Sequence, residues 1–121
     1  MPRTPKPRVW QPGALKDLLQ RDVVDLLVLF LLSRRAMYGR EIIRCLAELT
    51  DDVLVYEKLN TPLSRLQRQG FICETNTSVG GDRARVYFIA TPLGRQHLQE
   101  MLNDYRVFSG AVSKIIDAPE F

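Results

Sequence analysis

The segment from residue 38 to residue 94 constrains the fold most, because three different sequence patterns follow one another within it. Two runs with helical leucine spacing come first, then two segments rich in β-branched and aromatic residues, and then the start of a long helical pattern. The two β-rich segments flank the adjacent glycines Gly80 and Gly81. A helix pair joined directly to a hairpin therefore forms the centre of the predicted fold.

The first half of the chain contains two predicted helices. Over residues 15–32 the apolar side chains recur in steps of three and four, and additional apolar positions near the end of this run indicate burial on more than one side. A polar break at residues 33–37 separates this helix from a second one, which closes near Thr50 and Asp51.

A third helix is predicted to begin between residues 58 and 61 and to end at Gly70, since glycine is common just past a helix C-terminus. Pro62 lacks an amide hydrogen and fits only in the first turn, where Asn60 or Thr61 could cap the helix. Leucines occupy one face of this helix. The other face is polar, basic and free of carboxylates, and it includes Ser64, Arg65, Gln67 and Arg68. Such a face suits contact with phosphates and base edges.

Residues 71–77 and 83–90 are predicted to pair as an antiparallel hairpin around the two glycines. Arg83 and Arg85 lie two residues apart, which places them on one strand face beside the turn, within reach of a sugar-phosphate backbone. A phosphate-binding loop is the alternative interpretation of the glycine pair. The spacing of dinucleotide-binding and P-loop motifs is absent, however, and no helix follows directly.

Thr91 and Pro92 predict the start of the last helix, because the hydroxyl can cap it and proline fits the first helical position. The pattern continues to about Ile116, and a helix of about 24 residues would be about 36 Å long. Its apolar stripe exceeds what a small core covers, so we predict a homodimer formed through this helix. A helix that folds back on its own core is the alternative. The residues assigned to dimerisation are Leu98, Met101, Leu102, Tyr105, Phe108, Val112 and Ile115.

The composition fits one globular domain, with 121 residues, 45% hydrophobic and 26% charged. The longest unbroken apolar run, residues 26–32, is much shorter than the roughly 20 residues that cross a bilayer, and no signal-peptide pattern follows the N-terminus. We therefore expect a cytoplasmic protein. Cys45 and Cys73 fall in apolar patterns without CxxC spacing, so buried structural thiols are expected instead of a zinc site or a disulfide.

Neither an enzyme nor a cofactor is expected. The chain contains one histidine, His97, and offers no set of serine, histidine and acid and no paired carboxylates that would support acid-base or nucleophilic chemistry. The spacing of the histidine, cysteine and acidic residues also matches no metal-binding pattern.

The distribution of charge is more informative than the net charge of +3. Arg3, Lys6 and Arg8 account for all of it and lie in the proline-rich residues 1–13, which we expect to form a flexible basic arm. Elsewhere, basic residues cluster around the third helix and the hairpin, whereas acidic residues concentrate in the outer helices. This asymmetry is typical of a DNA-facing surface, because lysine and arginine neutralise phosphates. A solvated charged face is the alternative.

Several of these motifs together resemble the PadR-like family of winged-helix transcription regulators, over roughly residues 15–116. The landmarks in this chain are Tyr38-Gly39 with Glu41-Ile42, Leu63 with Arg65-Leu66 before Gly70-Phe71-Ile72, and Arg83, Arg85 and Tyr87 before Thr91 and Gly94. The short C-terminal part resembles the subgroup with a single dimerisation helix. The resemblance implies a mainly α (α+β) fold, with a winged helix-turn-helix domain at 14–91 and a dimerisation helix at 92–121, which follow the flexible arm that the composition predicts at 1–13.

The resemblance also implies a function. Family members typically repress transcription by binding inverted repeats, and many release DNA when small aromatic or cationic molecules bind. We therefore expect a sequence-specific repressor that acts as a homodimer on double-stranded DNA, with such a molecule as its effector. A winged-helix protein-docking module and a plasmid or phage replication or partition factor are alternatives, because fold alone does not determine function.

This chain departs from the family pattern at two places. The Tyr-Pro that usually starts the recognition helix is replaced by Asn60-Thr61, with proline displaced to Pro62, so we expect a different sequence preference. Trp10 lies outside the final helix, so the drug-stacking pocket of some multidrug-sensing relatives is not expected. Core packing is the expected role of Tyr105 and Phe108, with a ligand pocket at the dimer centre as the alternative.

The expected DNA contacts come from the helix pair, the hairpin and the arm. Asn60 and Arg65 are the expected base readers, because amide and guanidinium groups form paired hydrogen bonds with purines. Arg3, Lys6 and Arg8 are expected to enter a neighbouring minor groove. The residues assigned to the main interface are Tyr38, Lys58, Asn60, Thr61, Ser64, Arg65, Arg68, Arg83 and Arg85.

Overall fold

The computed structural model describes residues 11–75 and 85–120. Four helices and three short strands form this part of the chain, and they give it the winged-helix α+β architecture that the sequence predicted. In chain order the elements are α1 (Ala14–Arg34), β1 (Met37–Tyr38), α2 (Gly39–Leu49), α3 (Asn60–Arg68), β2 (Ile72–Glu74), β3 (Tyr87–Ala90) and α4 (Pro92–Ile116).

The three strands form one antiparallel sheet in the order β1-β3-β2. Ile72 pairs with Ala90 in the predicted hairpin, and Tyr38 pairs with Tyr87 on the other side of β3. The strand β1 was not predicted, because two residues are too few to show an alternating pattern. The turn expected between β2 and β3, together with Arg83, lies outside the described residues.

The helix α1 is the central element, and its C-terminal half packs against α3, α4 and β3. Val28, Leu29 and Leu32 are completely buried there, in agreement with the burial on several sides that the sequence predicted. The helix ends at Arg34, two residues later than expected. Ser33 is the penultimate residue of this helix, and its hydroxyl donates a hydrogen bond of 2.6 Å to the carbonyl oxygen of Phe30 within the same helix.

A tight turn follows α2 and leads into the loop before α3. Asp51 and Asp52 adopt left-handed backbone conformations, with φ angles of 51° and 64°, which aspartate tolerates better than most residues. The hydroxyl of Thr50 donates to the carbonyl oxygen of Leu46 at 2.7 Å and accepts a hydrogen bond from the amide of Leu54 at 3.0 Å. The reversal of the chain after α2 is thus held by hydrogen bonds.

The loop between α2 and α3 is attached to the N-terminal half of α1. Lys16 Nζ donates to the carbonyl oxygen of Val53 at 3.0 Å, and the side-chain amide of Gln20 donates to the carbonyl oxygen of Val55. The Tyr56 hydroxyl donates in turn to the main-chain carbonyl of Gln20, and burial raises the pKa of Tyr56. These bonds determine where the chain enters α3.

The helix α3 ends as predicted but is capped differently. Pro62 lies in the first turn, and Gly70 has a φ of 80°, as expected for a glycine just past the helix end. Neither Asn60 nor Thr61 caps the helix, because both are already helical and the N-cap is Leu59, which makes no side-chain cap hydrogen bond. Leu59 is buried, so packing determines where the helix begins.

The start and end of α4 agree with the prediction. The Thr91 hydroxyl accepts a hydrogen bond of 3.0 Å from the amide of Gly94 and donates one of 2.6 Å to the carbonyl oxygen of Gly70. Gly94 lies directly against the backbone of Phe71, where no Cβ atom would fit. The N-terminus of α4 is therefore fixed to the chain that leaves α3.

Both cysteines are free thiols in the structure, and of the two only Cys45 is partly buried. The expectation that Cys73 is buried is wrong, because β2 is an edge strand and side chains alternate along it, so that Ile72 enters the core and Cys73 faces outward. Across residues 11–75 and 85–120, no helix combines the length and apolar character that a bilayer span requires.

Candidate nucleic-acid interface

The helix α3 lies at the surface with one buried face. Pro62, Leu63 and Leu66 are buried, because the apolar residues of this helix pack against α1 and the sheet. The side chains turned away from that packing are polar or basic and exposed. They are Asn60, Thr61, Ser64, Gln67 and Arg68.

An open groove of about 590 Å³ separates α3 from α2 and from the chain entering β3. Three cationic side chains line it, one from each neighbouring part: Arg40 from α2, Lys58 from the loop before α3, and Arg85 from the hairpin. Glu57 is the one carboxylate among the described residues that line this groove. Cations on three sides of a groove suit the path of a phosphate backbone.

Tyr38 connects the hairpin to α2 at the edge of this groove. The guanidinium of Arg85 lies over its ring, 4.6 Å from the centroid, and the Tyr87 ring meets it edge-on at a centroid distance of 5.4 Å. Arg44 donates a hydrogen bond of 3.3 Å to the Tyr38 hydroxyl, and this bond raises the pKa of Arg44. Tyr38 thereby positions Arg85 through a cation-π contact.

The structure brings together five of the residues predicted for the main interface. Tyr38, Lys58, Asn60, Ser64 and Arg85 all line the groove. Two others lie nearby without lining it. Arg68 lies beside Ser64 on the outer surface of α3, and Thr61 is exposed on the same helix. Arg83 and the arm residues Arg3, Lys6 and Arg8 lie outside the described residues.

Arg65 does not lie on a face free of carboxylates, which corrects the expectation from the sequence. Its Nε and Nη2 atoms donate hydrogen bonds of 2.7 and 2.6 Å to the two carboxylate oxygens of Asp25 in α1. The hydrogen bonding and the charge of Asp25 raise the pKa of Arg65. Asp25 is 40 residues away in sequence, so only the packing of α3 on α1 reveals the pair.

Sequence reasoning did not assign Arg40 to the interface, and it placed Gln67 on the polar face of α3 without listing it among the DNA contacts. Arg40 lies in the first turn of α2 and Gln67 in the last turn of α3, and both side chains line the groove. For Gln67 a signal was present in the sequence. Asn60, Ser64 and Gln67 follow helical spacing and therefore form one polar stripe along α3.

The residues predicted for dimerisation divide into two groups along α4. Leu98 is 3% exposed and belongs to the core of its own subunit, so its assignment to the dimer face was wrong. Met101 and Leu102 are partly buried against the same core. Beyond them the apolar side chains face outward, with Phe108 66% and Ile115 65% exposed. The core covers only the first part of α4, because the second part lies beside the exposed N-terminal part of α1 and away from the buried residues.

The exposed apolar residues of α4 face a similar segment of α1. Leu15, Leu18 and Leu19 are exposed at the start of α1. Between the two helices lies an apolar cavity of about 470 Å³, whose lining includes Leu19, Val23, Leu54, Tyr105, Phe108 and Val112. The two helices together leave uncovered an apolar surface of the kind that marks protein-protein or ligand contacts.

Comparison with known proteins identifies one family. The model of the transcriptional regulator PadR-like family matches residues 28–100, which includes the helix pair, the sheet and the first part of α4. No curated protein gives a significant match to the chain.

Several solved structures share the fold. A PadR family transcriptional regulator from Eggerthella lenta is 25% identical, with a TM-score of 0.76, and the alignment covers 88% of this chain and 93% of that one. A transcriptional regulator from Clostridium thermocellum is 24% identical with a TM-score of 0.72, covering 79% and 95% of the two chains. A PadR-like transcriptional regulator from Bacillus cereus is 21% identical with a TM-score of 0.70, covering 82% and 96%.

Proposed function

Because the chain belongs to the PadR-like family of transcriptional regulators, which bind DNA and are not enzymes, we propose that it represses transcription as a homodimer on an inverted-repeat operator. The observation that carries this proposal is the groove beside α3. Its cations Arg40, Lys58 and Arg85 flank a polar helix surface, so that phosphates and base edges meet complementary groups at the same time. The protein acts in the cytoplasm, where it has access to DNA.

The dimensions of α3 agree with this function. An α-helix with its side chains is about 10–12 Å in diameter, and the major groove of B-DNA is about 12 Å wide, so the nine residues of α3 fit within it. Asn60, Ser64 and Gln67 then face the bases from one stripe, while Thr61 and Arg68 lie on the outer side of the same helix. Arg83 and Arg85 contact the flanking backbone, and Tyr38 supports Arg85.

The homodimer part of the proposal rests on the uncovered apolar surface of α4 and α1. Tyr105, Phe108, Val112 and Ile115 pack in the proposed dimer against the same residues or the exposed leucines of the partner. A two-fold axis through this contact presents two copies of α3 to two half-sites. Residues 14–91 then form the DNA-binding domain and residues 92–121 the dimerisation helix.

A small aromatic or cationic effector that releases DNA completes the proposal. The apolar cavity between α1 and α4 supports it, because cavities of roughly 300–1,000 Å³ with apolar walls accept small molecules. Leu54 lines this cavity and belongs to the loop that leads into α3, so an occupant would affect the recognition helix. To test this, aromatic acids and aromatic cations are added to the complex of protein and operator, and release of the DNA is measured. If no compound releases the DNA, the effector part of the proposal is rejected.

The basic arm has a separate role in the proposal. Arg3, Lys6 and Arg8 enter a minor groove beside the operator, as basic arms do in other DNA-binding proteins. Deletion of residues 1–12 should weaken operator binding and lower its salt dependence. Undiminished affinity after the deletion excludes this role.

Selection of bound duplexes from a random pool tests the central proposal. We expect enrichment of a two-fold repeat with half-site centres about 10 bp apart, as for other dimers that read two successive major grooves. If no sequence is enriched and random duplex is not retained at low salt, the protein-docking alternative is favoured. A reporter gene placed behind the selected repeat then distinguishes repression from activation.

A further inference from the structure

The bidentate pair between Asp25 and Arg65 links the helix that reads DNA to the central helix of the subunit. Both carboxylate oxygens of Asp25 accept a hydrogen bond, and the side chains are 23% and 42% exposed. Two parallel hydrogen bonds between planar groups restrict orientation as well as distance. Apolar contacts between the same helices lack this directionality.

The position of Asp25 along α1 gives the pair its significance. The N-terminal part of α1 carries the exposed leucines beside α4, whereas the C-terminal half is buried in the core. Asp25 lies between these two parts. Within residues 11–75 and 85–120, Asp25 and Arg65 form the one side-chain to side-chain hydrogen-bonded contact between α1 and α3.

We propose that Asp25 and Arg65 are positioning residues, which fix the angle of α3 relative to α1 and thereby the separation of the two recognition helices in the dimer. This inference rests on the proposed function. It makes an acidic side chain necessary for operator binding, although that side chain contacts no DNA. Arg65 acts through Asp25 and does not read a base.

The opposite model is that Asp25 occupies a base-reading arginine until DNA displaces it. The two models predict opposite changes in operator affinity when Asp25 is replaced. If Asp25 restrains a base reader, its replacement by asparagine frees Arg65 and tightens operator binding. If the pair positions α3, the same replacement loosens the helix and weakens operator binding.

The first experiment compares Asp25→Asn with Asp22→Asn in the full chain. Asp22 is exposed, lies one turn earlier on α1, and carries the same charge, so the control reproduces the electrostatic gain from losing a carboxylate near DNA. Dissociation constants are measured for the selected operator and for random duplex at the same salt concentration. We expect Asp25→Asn to lower the ratio of operator to random affinity about five- to tenfold, and Asp22→Asn to leave it unchanged.

The second experiment uses Arg65→Lys, which retains the charge but not the two parallel hydrogen bonds. Selection from a random pool should return the same half-site bases as the unmodified protein, with a broader range of half-site spacings. A base reader would instead change the preferred base at one position of each half-site. A purely structural stabilising role would alter neither the bases nor the spacing.

The outcomes separate this inference from the proposed function. If the unmodified protein enriches a two-fold repeat but Asp25→Asn binds it as well as Asp22→Asn does, or more tightly, the positioning role is wrong and the operator-binding function stands. A changed base preference for Arg65→Lys also overturns it. If the unmodified protein enriches no repeat, the proposed function fails and this inference fails with it.

Discussion

The residues in and beside the groove differ in the contacts that hold their side chains. The guanidinium of Arg85 lies over the Tyr38 ring, whereas the guanidinium of Arg65 is occupied by Asp25. Gln67 lies in the last turn of α3 with its side chain toward the groove. Phosphate contacts supply affinity and base contacts supply specificity, so these residues should respond differently to substitution.

Arg85→Ala should weaken binding to every duplex and reduce the slope of log affinity against log salt by about one, because one phosphate contact is lost. The control is Arg21→Ala, which removes an exposed arginine of α1 away from the groove. Titrations at several salt concentrations measure both slopes. An equal slope for Arg85→Ala and the unmodified protein would exclude the hairpin from the interface.

Gln67→Ala should affect specificity more than affinity for random DNA. A glutamine can form paired hydrogen bonds with adenine, and one such contact contributes about 1–3 kcal/mol of discrimination. We therefore expect loss of an adenine preference at one position of each half-site. Gln69→Ala is the matched control, since Gln69 is exposed just past the end of α3 and does not line the groove. Identical base preferences for Gln67→Ala and Gln69→Ala would remove Gln67 from base reading.

At the scale of elements, α4 is one continuous helix with two different environments. Its first part packs tightly, with Leu98 in the core and Gly94 against the backbone of Phe71. Its second part extends beyond the core and exposes large apolar side chains. Gly94 lies in the first part and Gly110 in the second, so substitutions at these two positions measure the difference in packing.

Gly94→Ala should destabilise the protein, because the added Cβ would lie 1.9 Å from the carbonyl oxygen of Phe71 and backbone would have to move. Such overpacking costs about 1–3 kcal/mol in the free energy of unfolding. Gly110→Ala should instead stabilise the same helix by about 0.5–1 kcal/mol, since nothing lies within 4 Å of its added Cβ. Urea unfolding of both variants measures the difference. A Gly94→Ala protein as stable as the original would contradict the close packing.

At the scale of the whole molecule, the described part of the chain leaves large apolar side chains of α1 and α4 uncovered, which is the basis of the proposed dimer. Leu19 of α1 and Tyr105, Phe108 and Val112 of α4 are exposed and border the same cavity. The helix α3, by contrast, packs on α1 and β2 within one subunit. We therefore expect loss of the proposed dimer to affect operator specificity more strongly than it affects the folding of each subunit.

Phe108→Glu should convert the proposed dimer into a monomer, because a carboxylate would be placed in the apolar contact without a partner. Operator affinity should fall by a factor of 100 or more, on the order of the effective-concentration advantage of two linked sites. Asn103→Glu adds the same charge on another face of α4 and should remain dimeric. Sedimentation at micromolar concentration and operator titration test both variants. A dimeric Phe108→Glu protein would place the interface elsewhere.

The sequence alone determined the elements whose signals are local. The spacing of apolar residues located all four helices, Pro62 and Gly70 bounded α3, and Thr91-Pro92 marked the start of α4. Each of these signals depends on neighbours within one or two turns, which is why it can be read without the fold. Of the residues that these patterns assigned to the main interface, five line the groove, whereas Arg40 and Gln67 were added by the structure.

Tertiary structure decided the features that depend on contacts between distant residues. The sequence assigned Arg65 to a DNA contact, but the packing of α3 on α1 places Asp25 against it. The sequence assigned Leu98 to the dimer face, but this side chain is buried in its own subunit. The apolar pattern of a helix identifies which residues avoid water, but the partner that covers them depends on how far the rest of the chain reaches. For the same reason, a two-residue strand such as β1 exists only because β3 lies beside it.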